Sequence, residues 1–271
     1  MQTPNVKVPM VFLSALLFVS TTVRATLPPP TSARTAALGN TSSAAVGSDA
    51  LFGNQAALAR ESMISGIFLY DSKFGVAELS RLSAGFIWPI TQGTIGIRYH
   101  QFGTGFYRHS GTGVSFARHF GLRVSAALTA ELLAIQAFEN RVPLRSAAIE
   151  GGIQWVASDQ LLLGLHLSGS GISSLPDFYW RMGTGAVWSI SRDLEWVFGI
   201  HRNTGDGISA GTGWEYRMQR EVALRLGVSG KPLQPAMGIG FHFGQMVFDL
   251  SFAYHPYLGV TPLAAIKLNR L

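Results

Sequence analysis

Apolar and polar residues alternate at every second position through most of the chain after residue 61. In the run from Leu122 to Leu132 the even positions are Leu, Val or Ala, whereas the odd positions include Arg123, Ser125, Thr129 and Glu131. The same alternation recurs in short segments that are separated by turns. A period of two is typical of β-strands whose two faces meet different environments. The pattern therefore predicts an all-β protein.

The connections between the predicted strands alternate in length. Tight turns such as Phe120-Gly121 and Gly244-Gln245 alternate with longer connections such as Gly169 to Asp177. Short turns at one end and longer loops at the other are typical of bacterial outer-membrane barrels, in which both chain termini lie in the periplasm. About 14 strands are predicted, at approximately 62–70, 79–90, 94–102, 108–119, 122–136, 145–157, 161–168, 178–190, 194–201, 207–217, 222–229, 236–243, 246–255 and 262–271.

Composition indicates that these strands cross a membrane. Mean hydropathy is +0.24 and only 13% of the residues are charged, which is unusual for a soluble enzyme. After residue 25 every apolar run is interrupted well before the roughly 20 residues that a spanning helix needs. Only helices and closed barrels satisfy their backbone polar groups in hydrocarbon, so we expect a transmembrane antiparallel β-barrel.

A soluble β-sandwich would alternate as well, because one face of each strand would pack in a shared core. Aromatic residues near the ends of the predicted strands favour the membrane form, since outer-membrane barrels carry aromatic girdles at both interfaces. These residues are Trp88, Tyr99, Trp155, Trp180, Trp188 and Trp214.

The chain divides into three predicted parts. Residues 1–25 read as a secretory signal peptide, with Lys7 before an apolar core and Val23-Arg24-Ala25 as the cleavage site; the alternative is an uncleaved anchor. Residues 26–61 begin with three prolines and continue as a small, Ala-rich and Gly-rich stretch without strand alternation. Residues 62–271 form the predicted transmembrane barrel.

A fourteen-stranded barrel encloses more space than its inward side chains fill. We expect the stretch from 32 to 60 to occupy that lumen as a plug, the alternative being a poorly ordered periplasmic leader. Small residues on the inner face would let the plug backbone approach the wall closely. The predicted inward glycines are Gly96, Gly113, Gly152, Gly164, Gly183, Gly185, Gly211, Gly213, Gly227, Gly238 and Gly240.

The plug stretch also resembles a known family. Its run Ala33 to Asn40, ARTAALGN, is followed by Ser48-Asp49-Ala50 and by Asn54 to Leu58, NQAAL. This is similar to the N-terminal signature of the FadL-like outer-membrane barrels, including the PorV and PorQ proteins of Bacteroidetes. The chain departs from that signature at Ser32, where Gly is usual, and at Gln55, where Pro is usual. The resemblance implies a hatch, whose motif residues here are Arg34, Leu38, Gly39, Asp49, Asn54, Ala56 and Leu58.

Charged and histidine side chains on the predicted inner face are the candidates for chemistry. They lie on separate strands without the recurrent spacing of a metal site, which favours an ordinary wet lumen over a metal or acid–base centre. In a wet lumen Arg98→Ala should be mild, whereas Ile97→Arg would place a cation in lipid. We expect no catalytic site, metal or cofactor. The predicted lumen-lining residues are Arg98, His100, Arg123, Glu131, Glu150, Glu195, Arg225 and Asp249.

Charge and cysteine content exclude several classes of function. Without Lys7 and Arg24 the chain keeps 19 basic and 15 acidic residues, and a net charge of +4 spread along the sequence argues against nucleic-acid binding. The absence of cysteine excludes disulfides, thiolate metal sites and a Cys nucleophile. An outer-membrane lipid hydrolase would need a nucleophile and a histidine on the lipid face, and no histidine is predicted there.

Two functions fit a barrel in the bacterial outer membrane. The resemblance favours an accessory or scaffold subunit of a larger outer-membrane complex, such as type IX secretion. The alternative is a FadL-like channel for hydrophobic small molecules. The expected partners are outer-membrane lipid, protein subunits of such a complex and a hydrophobic ligand. The short predicted loops favour the accessory role, and the candidate partner-binding rim consists of Leu175, Pro176, Tyr179 and Tyr257.

Overall fold

Fourteen antiparallel strands close into a barrel in the computed structural model, which describes residues 30–105, 107–137, 143–172, 178–204 and 207–269. Each strand pairs with its neighbours in the chain, and β1 pairs with β14. The predicted fold and strand number are confirmed, while the predicted signal peptide lies outside the described residues. The strands are β1 Ser65–Ser72, β2 Ser80–Ile90, β3 Gly93–Phe102, β4 Tyr107–Phe120, β5 Val124–Ala137, β6 Leu144–Val156, β7 Leu161–Ile172, β8 Phe178–Ser189, β9 Leu194–Asn203, β10 Gly207–Arg217, β11 Val222–Ser229, β12 Gln234–Phe243, β13 Met246–His255 and β14 Gly259–Asn269.

The register is unbroken along the paired length of every strand pair. A β-bulge would set two residues of one strand opposite one residue of its neighbour. Among the described residues each of the fourteen pairs instead advances one residue against one. The closing pair runs without interruption from Ser65 opposite Asn269 to Asp71 opposite Leu263. The wall therefore has no lateral gap between its paired strands.

The two faces of the wall are sorted as the alternation predicts. In β5, Leu128 and Leu132 are 64% and 72% exposed on the outer surface, whereas Thr129 and Glu131 are 1% and 6% exposed inside. Tryptophans of three neighbouring strands lie side by side near one end of the barrel, with ring centroids 5.4 and 6.1 Å apart. An apolar outer band edged by aromatic rings matches the surface of a membrane-spanning barrel. The three rings are Trp188, Trp196 and Trp214.

The two ends of the barrel differ in their connections. Tight turns join β2 to β3, β4 to β5 and the later strand pairs at the end where β1 begins and β14 ends, which we call the turn end. The opposite end, the loop end, includes the connection with the short 3₁₀ helices Lys73–Gly75 and Ala77–Leu79. In bacterial outer-membrane barrels the tight turns face the periplasm. No helix in the described part of the chain is long and apolar enough to span a membrane.

Residues 32–60 lie inside the barrel and are called the plug from here on. The plug contains the helix α1, Ala33–Ala37, and the 3₁₀ helices Gly47–Phe52 and Gln55–Arg60. Ser32 and Asn54 cap two of them, because their side chains accept hydrogen bonds from the backbone N–H of Thr35 and Ala56. Such capping satisfies donors that have no partner within a helix.

Inward-facing glycines let the plug backbone touch the wall. A Cβ at Gly213 would lie 2.7 Å from the Cα of Leu38, and one at Gly238 would lie 2.7 Å from the Cβ of Ala37. No side chain fits at such a distance, so glycine is required by the close approach of the two backbones. This glycine belt comprises Gly85, Gly96, Gly152, Gly164, Gly183, Gly211, Gly213, Gly227 and Gly238.

The facing of β5 can be tested with two substitutions in one hairpin. We expect Leu128→Arg to destabilise the folded barrel, because a cation on the lipid face costs about 2–4 kcal/mol near the midplane. Leu122→Arg is the matched control, since Leu122 is 99% exposed in the turn before β5. Urea titration of folding into lipid vesicles measures both variants. Equal stability of the two would contradict the assignment of Leu128 to the lipid face.

Candidate functional site

A continuous chain of ion pairs joins the plug to the wall near the turn end. Arg34 of α1 contacts Glu215 at 2.7 Å and Glu195 at 3.2 Å. Glu215 is also 2.6 Å from Arg225, whose guanidinium lies 2.6 Å from Asp249. Charged residues of β9, β10, β11 and β13 are thus linked to one another, and the link reaches the plug through Arg34.

Lys267 of β14 links the chain of ion pairs to the plug at a second point. Its Nζ lies 2.7 Å from Asp249 and 2.5 Å from Asp49, which belongs to the 3₁₀ helix Gly47–Phe52. Arg217 bridges the carboxylates of Glu195 and Glu215 from the rim. The ion-pair chain therefore contains four cations and four carboxylates: Arg34, Arg217, Arg225 and Lys267 with Asp49, Glu195, Glu215 and Asp249.

Pairing makes these buried charges tolerable. Burial lowers the pKa of the Arg34 guanidinium, but the combined attraction of Glu215, Asp49 and Glu195 raises it above its ordinary value. A buried charge without a partner is costly, and removing one member of a buried pair leaves such a charge behind. The ion pairs therefore fix the position of the plug relative to the wall.

A second polar cluster lies where the plug meets β3, β5 and β6. Arg98 is 2.8 Å from Glu131 and 2.7 Å from Glu150, and it donates a hydrogen bond to the backbone carbonyl of Leu51. Gln55 of the plug donates to Glu150 at 2.9 Å. One guanidinium thus holds two wall carboxylates and one plug carbonyl, and we call this group the central cluster.

Two histidines border the central cluster. His100 Nδ1 lies 3.4 Å from Glu131 Oε1, and His166 Nε2 lies 3.5 Å from Glu150 Oε2. Both histidines are buried. Within the described ranges, no group of three or more His, Asp or Glu side chains is placed to hold a metal ion.

Asn54 fixes the plug to the backbone of the wall. Its Nδ2 donates to the carbonyls of Ile153 and Leu165 at 3.0 and 3.1 Å, and to Ser43 within the plug at 2.8 Å. Gly152 leaves the space that this amide occupies. The plug is therefore held by side-chain contacts and is not a strand of the sheet.

One side of the lumen is apolar. Ile67 and Leu69 of β1, Ile87 of β2, and Leu263 and Ala265 of β14 all face inward and are at most 5% exposed. We call these five residues the apolar strip. They pack in one cluster with residues of the plug that include Leu51, Phe52 and Leu58. The lumen of an outer-membrane barrel is usually polar, so the strip is a distinctive feature of this wall.

Charged residues close both ends of the apolar strip. Lys267 stands opposite Ile67 in the sheet at the turn end. At the loop end Asp71 stands opposite Leu263 and is paired with Lys73 at 3.3 Å. The apolar strip is thus bounded by charge at both of its ends.

The structure places most of the predicted site residues inside the barrel. Seven of the eight predicted lumen residues face inward, in the ion-pair chain or in and beside the central cluster. Arg123 does not: it is exposed in the turn before β5, because that turn extends through residue 123 and the strand begins at Val124. Six of the seven motif residues of the plug are buried, and the seventh, Arg34, is partly buried.

The expectation of a wet lumen is wrong at the level of the plug. Arg98, predicted to be replaceable by alanine at little cost, is only 4% exposed and holds two carboxylates. The reason is that the plug displaces water from the wall. Of the predicted rim, Tyr257 is 83% exposed at the loop end, whereas Leu175, Pro176 and the side chain of Tyr179 lie outside what the structure describes.

Lys267, Arg217 and the apolar strip were not predicted from the sequence. Lys267 and Arg217 both occupy inward positions of their strands and follow from the alternation alone. The strip has a weaker signal. β1 and β14 contain the consecutive apolar runs Ile67 to Tyr70 and Leu263 to Ile266, but β5 and β7 contain such runs as well.

Solved structures share this fold, although no protein-family model and no curated protein matches the sequence. The Pseudomonas putida toluene transporter TodX matches with a TM-score of 0.63 at 10% identity, covering 89% of this chain and 96% of that chain. The Ralstonia pickettii toluene transporter TbuX matches with a TM-score of 0.66 at 11% identity, covering 89% and 98%. The monoaromatic hydrocarbon channel CymD matches with a TM-score of 0.62 at 12% identity, covering 89% and 97%.

At such low identity these matches show the fold alone. The shared fold is a closed, fourteen-stranded antiparallel barrel with an N-terminal segment ahead of the strands. The resemblance seen in the plug sequence is thereby confirmed for the fold. The closer likeness to PorV and PorQ stays a prediction.

Substitution of Arg98 in the central cluster tests whether the plug excludes water from this part of the lumen. We expect Arg98→Ala to lower the free energy of unfolding by about 3–5 kcal/mol, because Glu131 and Glu150 would remain buried without their cation. Arg217→Ala is the matched control: Arg217 also bridges two carboxylates, but its side chain is 42% exposed. An exposed pair contributes less than about 1 kcal/mol. Urea unfolding in lipid vesicles compares them, and similar losses for both variants would show that water reaches Arg98.

Proposed function

We propose that this protein is an outer-membrane channel for small hydrophobic molecules, with the plug as its gate. The apolar strip is the observation that carries the proposal. Its five inward side chains offer a solute a continuous apolar surface within a lumen that otherwise carries many charges. Because apolar surface is driven out of water, a hydrophobic solute would leave the aqueous phase for such a strip.

The solved barrels with this fold support the substrate class. Two of them are described as toluene transporters and one as a monoaromatic hydrocarbon channel. Transferred to this chain, these descriptions make a small aromatic hydrocarbon the candidate substrate. Burial of such a ring against the strip is favourable by about 25 cal/mol for each Å² of apolar surface removed from water.

Passage along the strip requires the plug to move. Leu51, Phe52 and Leu58 of the plug pack in the same cluster as the strip. The unbroken register of the described strand pairs leaves no lateral gap in the wall. A solute therefore has to exchange places with plug side chains, and the energetic cost is small because one apolar contact replaces another.

A disulfide between plug and wall tests the gate. We expect a Thr41→Cys, Gly199→Cys double variant to lose uptake of radiolabelled toluene by cells when oxidised and to regain it after reduction. A Cβ at residue 199 would lie 3.5 Å from the Cβ of Thr41, a distance that a disulfide spans. The plug is already joined to β1 through the chain, so a disulfide to residue 199 of β9 would attach it to the wall at a second point.

Because the sequence contains no native cysteine, no disulfide other than the engineered one can form within the chain. Each single cysteine variant serves as a control and should transport alike in oxidising and reducing medium. Uptake that persists in the oxidised double variant, with the disulfide verified by mass spectrometry, would exclude the plug as the gate. If cells in which this protein is the sole candidate toluene channel take up no toluene, the channel function itself is excluded.

A scaffold role in a larger complex is the second candidate. The unbroken wall and the closely held plug favour it, because both suit a barrel that does not open. Tyr257, exposed at the loop end, is the described member of the predicted rim that a partner could contact. A photo-crosslinking residue in place of Tyr257 should then capture a defined subunit in intact cells, whereas a channel acting alone would give no such adduct.

A further inference from the structure

A cavity of about 370 Å³ opens at the turn end between the plug and the wall. Its apolar lining residues are Val46, Met63 and Val247. Its polar lining includes Asp49 of the plug and Ser65, the first residue of β1. This cavity is separate from the apolar strip, which lies deeper in the lumen.

Two buried groups that line the cavity have no hydrogen-bond partner among the described residues. They are Asp49 Oδ1 and Ser65 Oγ, and the two residues are 3% and 1% exposed. The other carboxylate oxygen of Asp49 contacts Lys267. Buried polar atoms normally find a partner, so each of these unpaired oxygens, on a residue that lines the cavity, is a candidate acceptor for a donor of a bound molecule.

The charges around the cavity favour an uncharged ligand. Five cations and three carboxylates line the cavity, and four of the cations, Arg34, Arg217, Arg225 and Lys267, are already paired within the ion-pair chain. The fifth cation, Arg60, donates a hydrogen bond to Gln154. A charged ligand would lose its hydration and meet mostly groups that already have partners, which is unfavourable.

We propose that this cavity binds a small uncharged solute that has an apolar body and an O–H or N–H donor. The body would contact Val46, Met63 and Val247, and the donor would meet Asp49 Oδ1 or Ser65 Oγ. The site goes beyond the proposed channel and does not depend on it, since binding is measurable without transport.

Methionine methyl NMR tests the site with benzyl alcohol as the probe. In the full barrel in detergent micelles, we expect the Met63 methyl signal to shift saturably with benzyl alcohol. Met237 is 59% exposed on the outer face and reports partitioning into the micelle, so its signal should drift without saturation. Toluene lacks the donor, so it should bind about three- to tenfold more weakly, the equivalent of one neutral hydrogen bond. Benzylammonium keeps N–H donors but carries a charge that must be desolvated, so it should also bind more weakly than benzyl alcohol.

Two serine variants separate the site from a general effect of mutation. Ser65→Ala should lower the affinity for benzyl alcohol about three- to tenfold, towards that for toluene. Ser251→Ala is the control, because Ser251 Oγ is equally buried and has no described partner, but Ser251 is not among the residues lining the cavity. A Met63 signal that does not respond, equal affinity for toluene and benzyl alcohol, or an unchanged affinity in Ser65→Ala would overturn the proposal.

Discussion

Fourteen strands enclose a lumen that their own side chains do not fill, and the rest of this structure depends on how that space is occupied. The plug occupies it by complementarity of shape and of charge. Where its backbone approaches most closely, the wall has glycine, as at Gly213 and Gly238. Where the wall presents charge, the plug supplies the opposite sign, through Arg34 to Glu215 and through Asp49 to Lys267.

Filling the lumen also changes the energetics of its polar residues. In water, an inward arginine would be a weakly interacting surface group. Beneath the plug, Arg98 becomes a buried charge whose two carboxylates depend on it. Buried ion pairs add little net stability compared with apolar packing, but they penalise every arrangement that separates the partners. The two clusters thus define where the plug sits more than they stabilise the barrel.

Much of the wall could be predicted from the sequence, because each strand meets lipid on one face and the lumen on the other. That contrast produced the alternation in β5 and the inward positions of Arg225 and Asp249. Arg123 was misplaced because alternation continues through a turn and does not mark where the strand begins. The pairing of Lys267 with Asp49, 218 positions apart, depends on barrel closure and plug placement, which no local pattern encodes.

The balance of charge also determines which solutes the lumen could accept. The charges of the ion-pair chain and most of those of the central cluster are already paired, so an incoming ion would have to be desolvated without a free partner. An apolar solute faces no such penalty, since it only replaces Leu51 or Phe52 on the apolar strip. Selectivity for hydrophobic molecules would then come from exclusion of charged ones, and a tightly binding pocket would not be required. In the proposed channel, each apolar contact of the plug is replaced by a contact with the solute, while the ion pairs stay formed. The solute would therefore pass without breaking the ion pairs that position the plug.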